Sequence, residues 1–470
     1  LNDINLKTLY FNSFFGSVEF VKSRLNDFLM DASEVAEKAN YAEHTAALNS
    51  LIDTISIAMA SHSIDTRVKK LRASILEGKT TGKFSIFGES ILKSDAINAL
   101  FINSFAAHAL ELDDWLPMGM LHPGASIIPS ALLLGEKNDL TLEDITTGII
   151  YGYQLAEHIG RWLGRSHYRT WHNTSTVAGI AIGAMLVWME EGNEERITNA
   201  VLIATTYAGG LMPLVNKLVS VKPLSPSHAS LIGYYSYLTS QAFTGLVKDI
   251  EAVESKICSS LTEQCDNIED DESKTPAILR VGYKIFPTCR NSHTTIQAAI
   301  KLSEKVDPAL IESIQLEVFE EAAQVADITF PTTIEEAMFS LSFLTAASLV
   351  KKWIGLKEIS ESLSDPLVRE LEKKVKVNIR EDYTMSFPKK HPVTIRVTMK
   401  TGEVLEEHEE IPLGDPSKTL PKDALYEKLR SLAKYSGNEN ILNLIELILK
   451  ERINIRINDL IDKLSKEENK

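Results

Sequence analysis

The chain has 470 residues, 44% of them apolar, enough for a large core and, at roughly 150 residues per domain, for two or three domains. Its formal charge of −15 argues against a general nucleic-acid binder or a partner of anionic membranes, since both need net or clustered positive charge. Cys258, Cys265 and Cys289 are an odd number, too few for a disulfide scaffold, and form no C-x-x-C pair; zinc and iron–sulfur binding are therefore disfavoured, and the pattern suits a reducing cytoplasm.

No stretch reaches the roughly 20 uninterrupted apolar residues that span a bilayer. The first 22 residues alternate aromatic and polar side chains without the cationic start of a secretory signal. A soluble, cytoplasmic protein is expected. From residue 43 the pattern is helix after helix: apolar side chains recur at helical spacing over 43–61, 91–112, 123–136, 141–163, 174–191, 195–207 and 227–244. Several of these are apolar on most faces, as in helices buried inside a multi-helix domain. Residues 263–274 are acidic and polar and read as a linker or loop.

Beyond it, strand-like alternation appears at 313–319, 375–380, 393–398 and 403–410, with helices at 292–305 and 333–352 and a hairpin signal at Thr401-Gly402. Helices return at 421–434, 439–451 and 458–467. The expected fold is mainly α: a large all-helical domain with an inserted, smaller α+β lid domain. The division is 1–270, with 1–40 an extra N-terminal segment, then 271–410, then C-terminal helices 411–470 that rejoin the helical domain.

Polar residues in costly apolar surroundings mark candidate chemistry. Glu111, Asp113 and Asp114 close the 91–112 helix and are candidates for proton transfer or for orienting a histidine. His122 precedes Pro123, which suits a first helical position, and His172 precedes an apolar helix for which Asn173 or Thr174 is the natural cap. Such helix entrances favour anions. Lys222 stands before Pro223, which is expected to hold it in an extended conformation. Lys284, Cys289, Arg290 and His293 cluster before another helix and could hold carboxylates. Singly, each residue is as well explained by a cap, a surface lysine or a small buried thiol. Together they describe a pocket for a small polyanion, suited to proton abstraction beside a carboxylate. No phosphate loop, dinucleotide fingerprint, nucleophile elbow or metal-ligand motif is present, so no cofactor or metal is expected.

At these residues the chain resembles the MmgE/PrpD family, which contains 2-methylcitrate dehydratase, cis-aconitate decarboxylase and iminodisuccinate epimerase. The resemblance covers about 40–465 and rests on motifs in family order: Asn103 to Asp114, His122-Pro123-Gly124-Ala125, Tyr168 to Thr174, Lys222-Pro223-Leu224, Lys284 to His293, Ala337 to Phe343, Gly402 to Leu405 and Gly414-Asp415-Pro416. It implies a helical domain with a smaller lid, a cleft between them and a homodimer. It also implies active-site positions at Glu111, His122, His172, Lys222 and Lys284, with Asp113, Arg290, Cys289 and His293 touching a small polycarboxylate. Three positions depart from the family pattern: Glu111 replaces a common aspartate, Ser225 a common histidine, and Cys289 the histidine of the decarboxylase branch. The leading expectation is dehydration of a 2-methylcitrate-like hydroxy tricarboxylate. Epimerisation of an amino- or imino-dicarboxylate, cis-aconitate-type decarboxylation, and a non-catalytic helical scaffold are the alternatives.

Overall fold

The computed structural model describes residues 23–77, 81–243, 250–266, 274–418 and 423–467. Helices dominate it, and its sheets are small, a two-stranded one of β1 (Phe84–Phe87) and β2 (Ile91–Ser94) and a four-stranded one. The mainly α class with a smaller α+β region is therefore as expected. Among the described residues no helix is long and apolar enough to cross a membrane.

Two hydrophobic cores carry the architecture. The first is built by helices from Leu25 to Ile257 and by the C-terminal helices from Leu429 to Leu464. At its centre lies helix Asn173–Glu190, buried almost all round because its sequence offers nearly no polar face. It packs on helices Gly124–Asn138, Leu142–Thr170, Glu194–Thr206 and Leu224–Thr239. The second core is formed by Phe286 to Met399, joined by Met120, Met212 and Val219 from the helical part. There, strands β3 (Ile311–Val318), β4 (Val375–Ile379), β5 (Val393–Met399) and β6 (Val404–Glu409) form a sheet in the order β4-β3-β5-β6. Only the β3–β4 pair is parallel. Helices His293–Ser303 and Leu341–Lys351 cover the sheet.

Several expectations change. The 91–112 helix begins only at Ala96, where Asp95 caps it by accepting from Asn98 N. Ile91–Ser94 instead pairs antiparallel as a strand with Phe84–Phe87. The 333–352 helix splits into Ile334–Ala337 and Leu341–Lys351, since Ser340 caps the second. Within the expected N-terminal extra, residues 1–22 lie outside the described residues. Arg24–Glu37 is a helix of the first core, its start tied down by Glu254, which accepts from Ser23 Oγ and Leu25 N. The expected loop at 263–274 lies partly outside the described residues. Cys258 and Cys265 are joined by a disulfide, which corrects the reading of reduced thiols: a separation of seven residues let the end of helix Ile250–Leu261 and the following turn meet.

Candidate active site

The site forms where the two cores meet. Helix Ala96–His108 ends one turn before Glu111, whose φ of +50° lies in the left-handed region, uncommon for a residue with a long side chain. That turn folds the Glu111 carboxylate back between two ammonium groups: Lys222 Nζ donates to Oε1 at 2.6 Å and Lys284 Nζ to Oε2 at 2.9 Å. Burial alone would raise the Glu111 pKa; Lys222 and Lys284 overcome it and hold the carboxyl well below its ordinary range. Lys284 is wholly enclosed, with Asp113 Oδ1 also 3.7 Å away, and burial is outweighed by these two carboxylates, which raise its pKa. Both cations are therefore already counterbalanced.

Asp113 accepts a 2.6 Å hydrogen bond from His108 Nδ1, and His108 Nε2 lies 3.6 Å from Glu111. Asp114 works differently. Its carboxyl accepts from Tyr153 OH at 2.6 Å and from Gly124 N at 2.9 Å. A β-carbon on Gly124 would stand 2.6 Å from that carboxylate, so glycine permits the approach. The N-terminus of helix Gly124–Asn138 is thus occupied by the protein's own acid rather than left for a ligand. Burial pushes the Asp114 carboxyl up to about 7, against the hydrogen bond from Tyr153.

The backbone carbonyl of Asp114 determines the state of His122. A carbonyl only accepts, so the 2.8 Å contact to His122 Nδ1 places the proton on Nδ1 and leaves Nε2 as a lone pair. Burial, then Lys284, push the His122 pKa well below that of free imidazole. His172 is the residue before helix Asn173–Glu190 and makes no side-chain cap bond; the expected cap at Asn173 or Thr174 is not formed. Burial, then Lys222, hold His172 neutral as well, and its Nδ1 has no hydrogen-bond partner.

A narrow cavity collects these groups. His122, His172 and Lys222 border it from the helical part, and Cys289, Arg290 and Asn291 from the other side. Trp115, Met120, Tyr168, Met212 and Val325 complete the wall. Tyr168 lies on helix Leu142–Thr170 beyond a kink at Gly164, whose φ of +69° suits glycine. Of the residues singled out in the sequence, Glu111, Asp113 and Lys284 lie behind the wall, and His293 touches Arg290 at 3.4 Å without lining the cavity. Lys222 is not extended: it closes a tight turn through Lys222 N to Val219 O at 3.2 Å with helical φ and ψ, which overrides the preference before proline. Cys289 is buried, and burial raises its thiol pKa, so it is no ready nucleophile.

Sequence reasoning missed His108 and Trp115 as parts of the site. His108 had a signal, five residues before Asp113 at the end of a buried helix. Among the described residues no group of three or more His, Cys, Asp or Glu is arranged to hold a metal ion.

The comparison with protein families decides the relationship. Residues 32–263 match the MmgE/PrpD N-terminal domain and residues 286–451 the MmgE/PrpD C-terminal domain. The chain belongs to the MmgE/PrpD family. It is a family of dehydratase- and lyase-type enzymes, and both of its domains are present here in order. A search of curated proteins gave no match.

Proposed function

We propose that this MmgE/PrpD chain is a cofactor-independent carbon–oxygen lyase that dehydrates a 2-methylcitrate-like hydroxy tricarboxylate. The observation that carries this reading is His122, a neutral imidazole with its proton fixed on Nδ1 and Nε2 left as a base in a cavity shared with Lys222 and Arg290. His122 Nε2 takes the proton from the carbon beside a carboxylate. Lys222, bordering the cavity, stabilises the enediolate-like charge that develops. The electrons then form the carbon–carbon double bond as the neighbouring C–O bond breaks. His172 supplies the proton with which hydroxide leaves as water: it is neutral in the empty site, but the negative charge of bound substrate raises its proton affinity. Glu111 and Asp113 hold Lys222, Lys284 and His108 in place from behind.

The test is to incubate the protein with 2-methylcitrate and follow the ultraviolet absorbance of the new double bond. Absorbance growth supports the reading. Conversion of cis-aconitate to itaconate instead would place the protein among the decarboxylases. Two imidazoles on one cavity also suit an epimerase, which removes and returns an α-proton. Deuterium entering substrate without elimination would favour that alternative.

We further propose that the protein works as a homodimer; the Cys258–Cys265 disulfide removes the cysteine argument for a reducing cytoplasm. Supporting the dimer, Tyr207, Leu211, Leu214, Leu218, Tyr235 and Phe243, all between residues 207 and 243 of the helical part, are exposed large apolar side chains. Sedimentation of the double variant Leu214→Glu, Leu218→Glu as a monomer, against a parent dimer, checks it; a monomeric parent refutes it.

A further inference from the structure

The Glu111–Lys222 contact joins two backbone turns that lie 111 positions apart in the chain. One follows helix Ala96–His108 and carries Glu111 at its φ of +50°; the other, Val219–Val221, presents Lys222 just before helix Leu224–Thr239. Carbonyls at the end of a helix have no partner within it, so a turn placed there must be held by donors from elsewhere. Lys428, from the C-terminal helix Ala424–Ser436, supplies one: it donates to Leu112 O at 2.7 Å and pairs with Asp53 at 2.7 Å. Arg67 supplies another, and it also reaches the second turn.

Arg67 stands in the first turn of helix Thr66–Leu76, whose N-cap is Asp65. The Asp65 carboxylate accepts from Arg67 N at 2.7 Å and also holds the guanidinium, accepting from Nη2 at 2.6 Å and from Nε at 3.2 Å. With the head group fixed in this way, Nη2 donates to Ala109 O at 2.7 Å and Nη1 to Ser220 O at 3.1 Å. Ala109 lies two residues before Glu111, and Ser220 two residues before Lys222. One rigid plane therefore fixes the separation of the two backbones that bring the ion pair together. A lysine would keep the charge but has a single nitrogen and no planar fork to bridge two carbonyls. Glu335 of helix Ile334–Ala337 approaches Nε at 3.5 Å, so the α+β part meets the same group.

We propose that Arg67 is a positioning residue, its guanidinium a spacer that sets the Glu111 turn against the Lys222 turn and so holds the Lys222 ammonium at the cavity wall. Arg67 does not line the cavity and acts through Lys222. Its effect on ligand binding rests on the reading that Lys222 engages a substrate carboxylate; its effect on the Glu111–Lys222 contact does not. No motif marks Arg67, because its bonds to the two turns go to backbone carbonyls, which leave no side-chain pattern.

The test is a double-mutant cycle on the intact chain, read by urea unfolding, with calorimetric citrate titrations alongside. Arg67→Lys keeps the charge beside Asp65 and is expected to fold. Glu111→Gln should shift the urea midpoint less than half as far in the Arg67→Lys background as in the parent, because the contact it breaks is already displaced. Where Glu111→Gln does not fold, Glu111→Asp takes its place in the cycle. Arg67→Lys should weaken citrate by about tenfold in the parent background and by less than twofold in a Lys222→Met background. In Arg67→Ala, added ethylguanidinium should recover citrate binding, and ethylammonium, of equal charge, should not. Equal urea shifts in the two backgrounds overturn the proposal and leave Arg67 as a partner of the Asp65 cap. Citrate binding by Arg67→Lys within twofold of a parent that binds it also overturns the proposal, as does equal recovery by both cations. A parent that binds no citrate defeats the polycarboxylate reading alone, and unequal urea shifts then still support the spacer.

Discussion

The carbonyl oxygen of Asp114 holds the Nδ1 proton of His122 at 2.8 Å, and so fixes the imidazole as a base whose free nitrogen is Nε2. The same residue's carboxyl is tied to Tyr153 and to Gly124 N, which anchors the carbonyl's position on two helices. Removing the base should therefore affect the chemical step far more than binding. His122→Gln is expected to lower kcat by about 10²–10⁴-fold, the usual worth of a positioned general base, with the Kd for citrate within a few-fold of the parent. Steady-state kinetics alongside calorimetry check this. A large loss of affinity with kcat preserved would assign His122 to binding instead.

Binding should take up protons. Burial, reinforced by Lys222, keeps His172 neutral in the empty site, and its pKa lies well below 6.5. A polyanion beside it favours the charged imidazole. Titrations with citrate at pH 7 in buffers of different ionisation enthalpy should show net proton uptake, and His172→Gln should reduce it. Proton release on binding would contradict the acid role.

Glu111 neutralises two buried lysines, so losing its charge should be costly. Glu111→Gln is expected to destabilise the fold by about 3–5 kcal/mol, the range for breaking a buried ion pair on one side. Glu111→Asp should be milder: it keeps the charge and tolerates the left-handed backbone better, while falling a methylene short of one lysine. Lys284→Met, behind the wall, should act mainly on stability, and Lys222→Met, at the wall, on citrate binding. Urea unfolding and calorimetry separate the two.

The buried acids set a pH trend in stability. Asp114 is raised to about 7 and Asp53 to about 6, in both cases first by burial. A carboxyl raised in the folded state keeps a proton that the unfolded chain has lost, so its contribution is full below about pH 4 and disappears as pH rises through 6–7. Glu111 and Asp113 act oppositely, their contribution being present above about pH 4 and lost as pH falls below it. Asp114→Asn should therefore melt progressively higher relative to the parent as pH rises from 4 to 8. Melting curves that keep a constant offset would refute the shift.

Much of the fold was legible because long buried helices announce themselves by periodicity: Tyr41–Ile64 and Asn173–Glu190 lie close to where apolar spacing puts them. The short hairpin of β1 (Phe84–Phe87) and β2 (Ile91–Ser94) was hidden, since four-residue strands beside an apolar helix share its composition. His122, His172 and Lys222, each singled out before a helix entrance, border one cavity. Their pairing was not legible. Sequence suggested lysines free to grip a ligand, whereas Glu111 meets both, a contact between residues 111 and 173 positions apart that no local pattern encodes. Lys222's turn likewise depends on tertiary packing.

The most direct measurement is a crystal structure of the protein with citrate. The account predicts citrate in the cavity, one carboxylate within hydrogen-bond distance of Lys222 Nζ, another at Arg290, and His122 Nε2 facing the carbon chain. Citrate held elsewhere, with the space between His122, Lys222 and Arg290 left to solvent at saturating concentration, would contradict it.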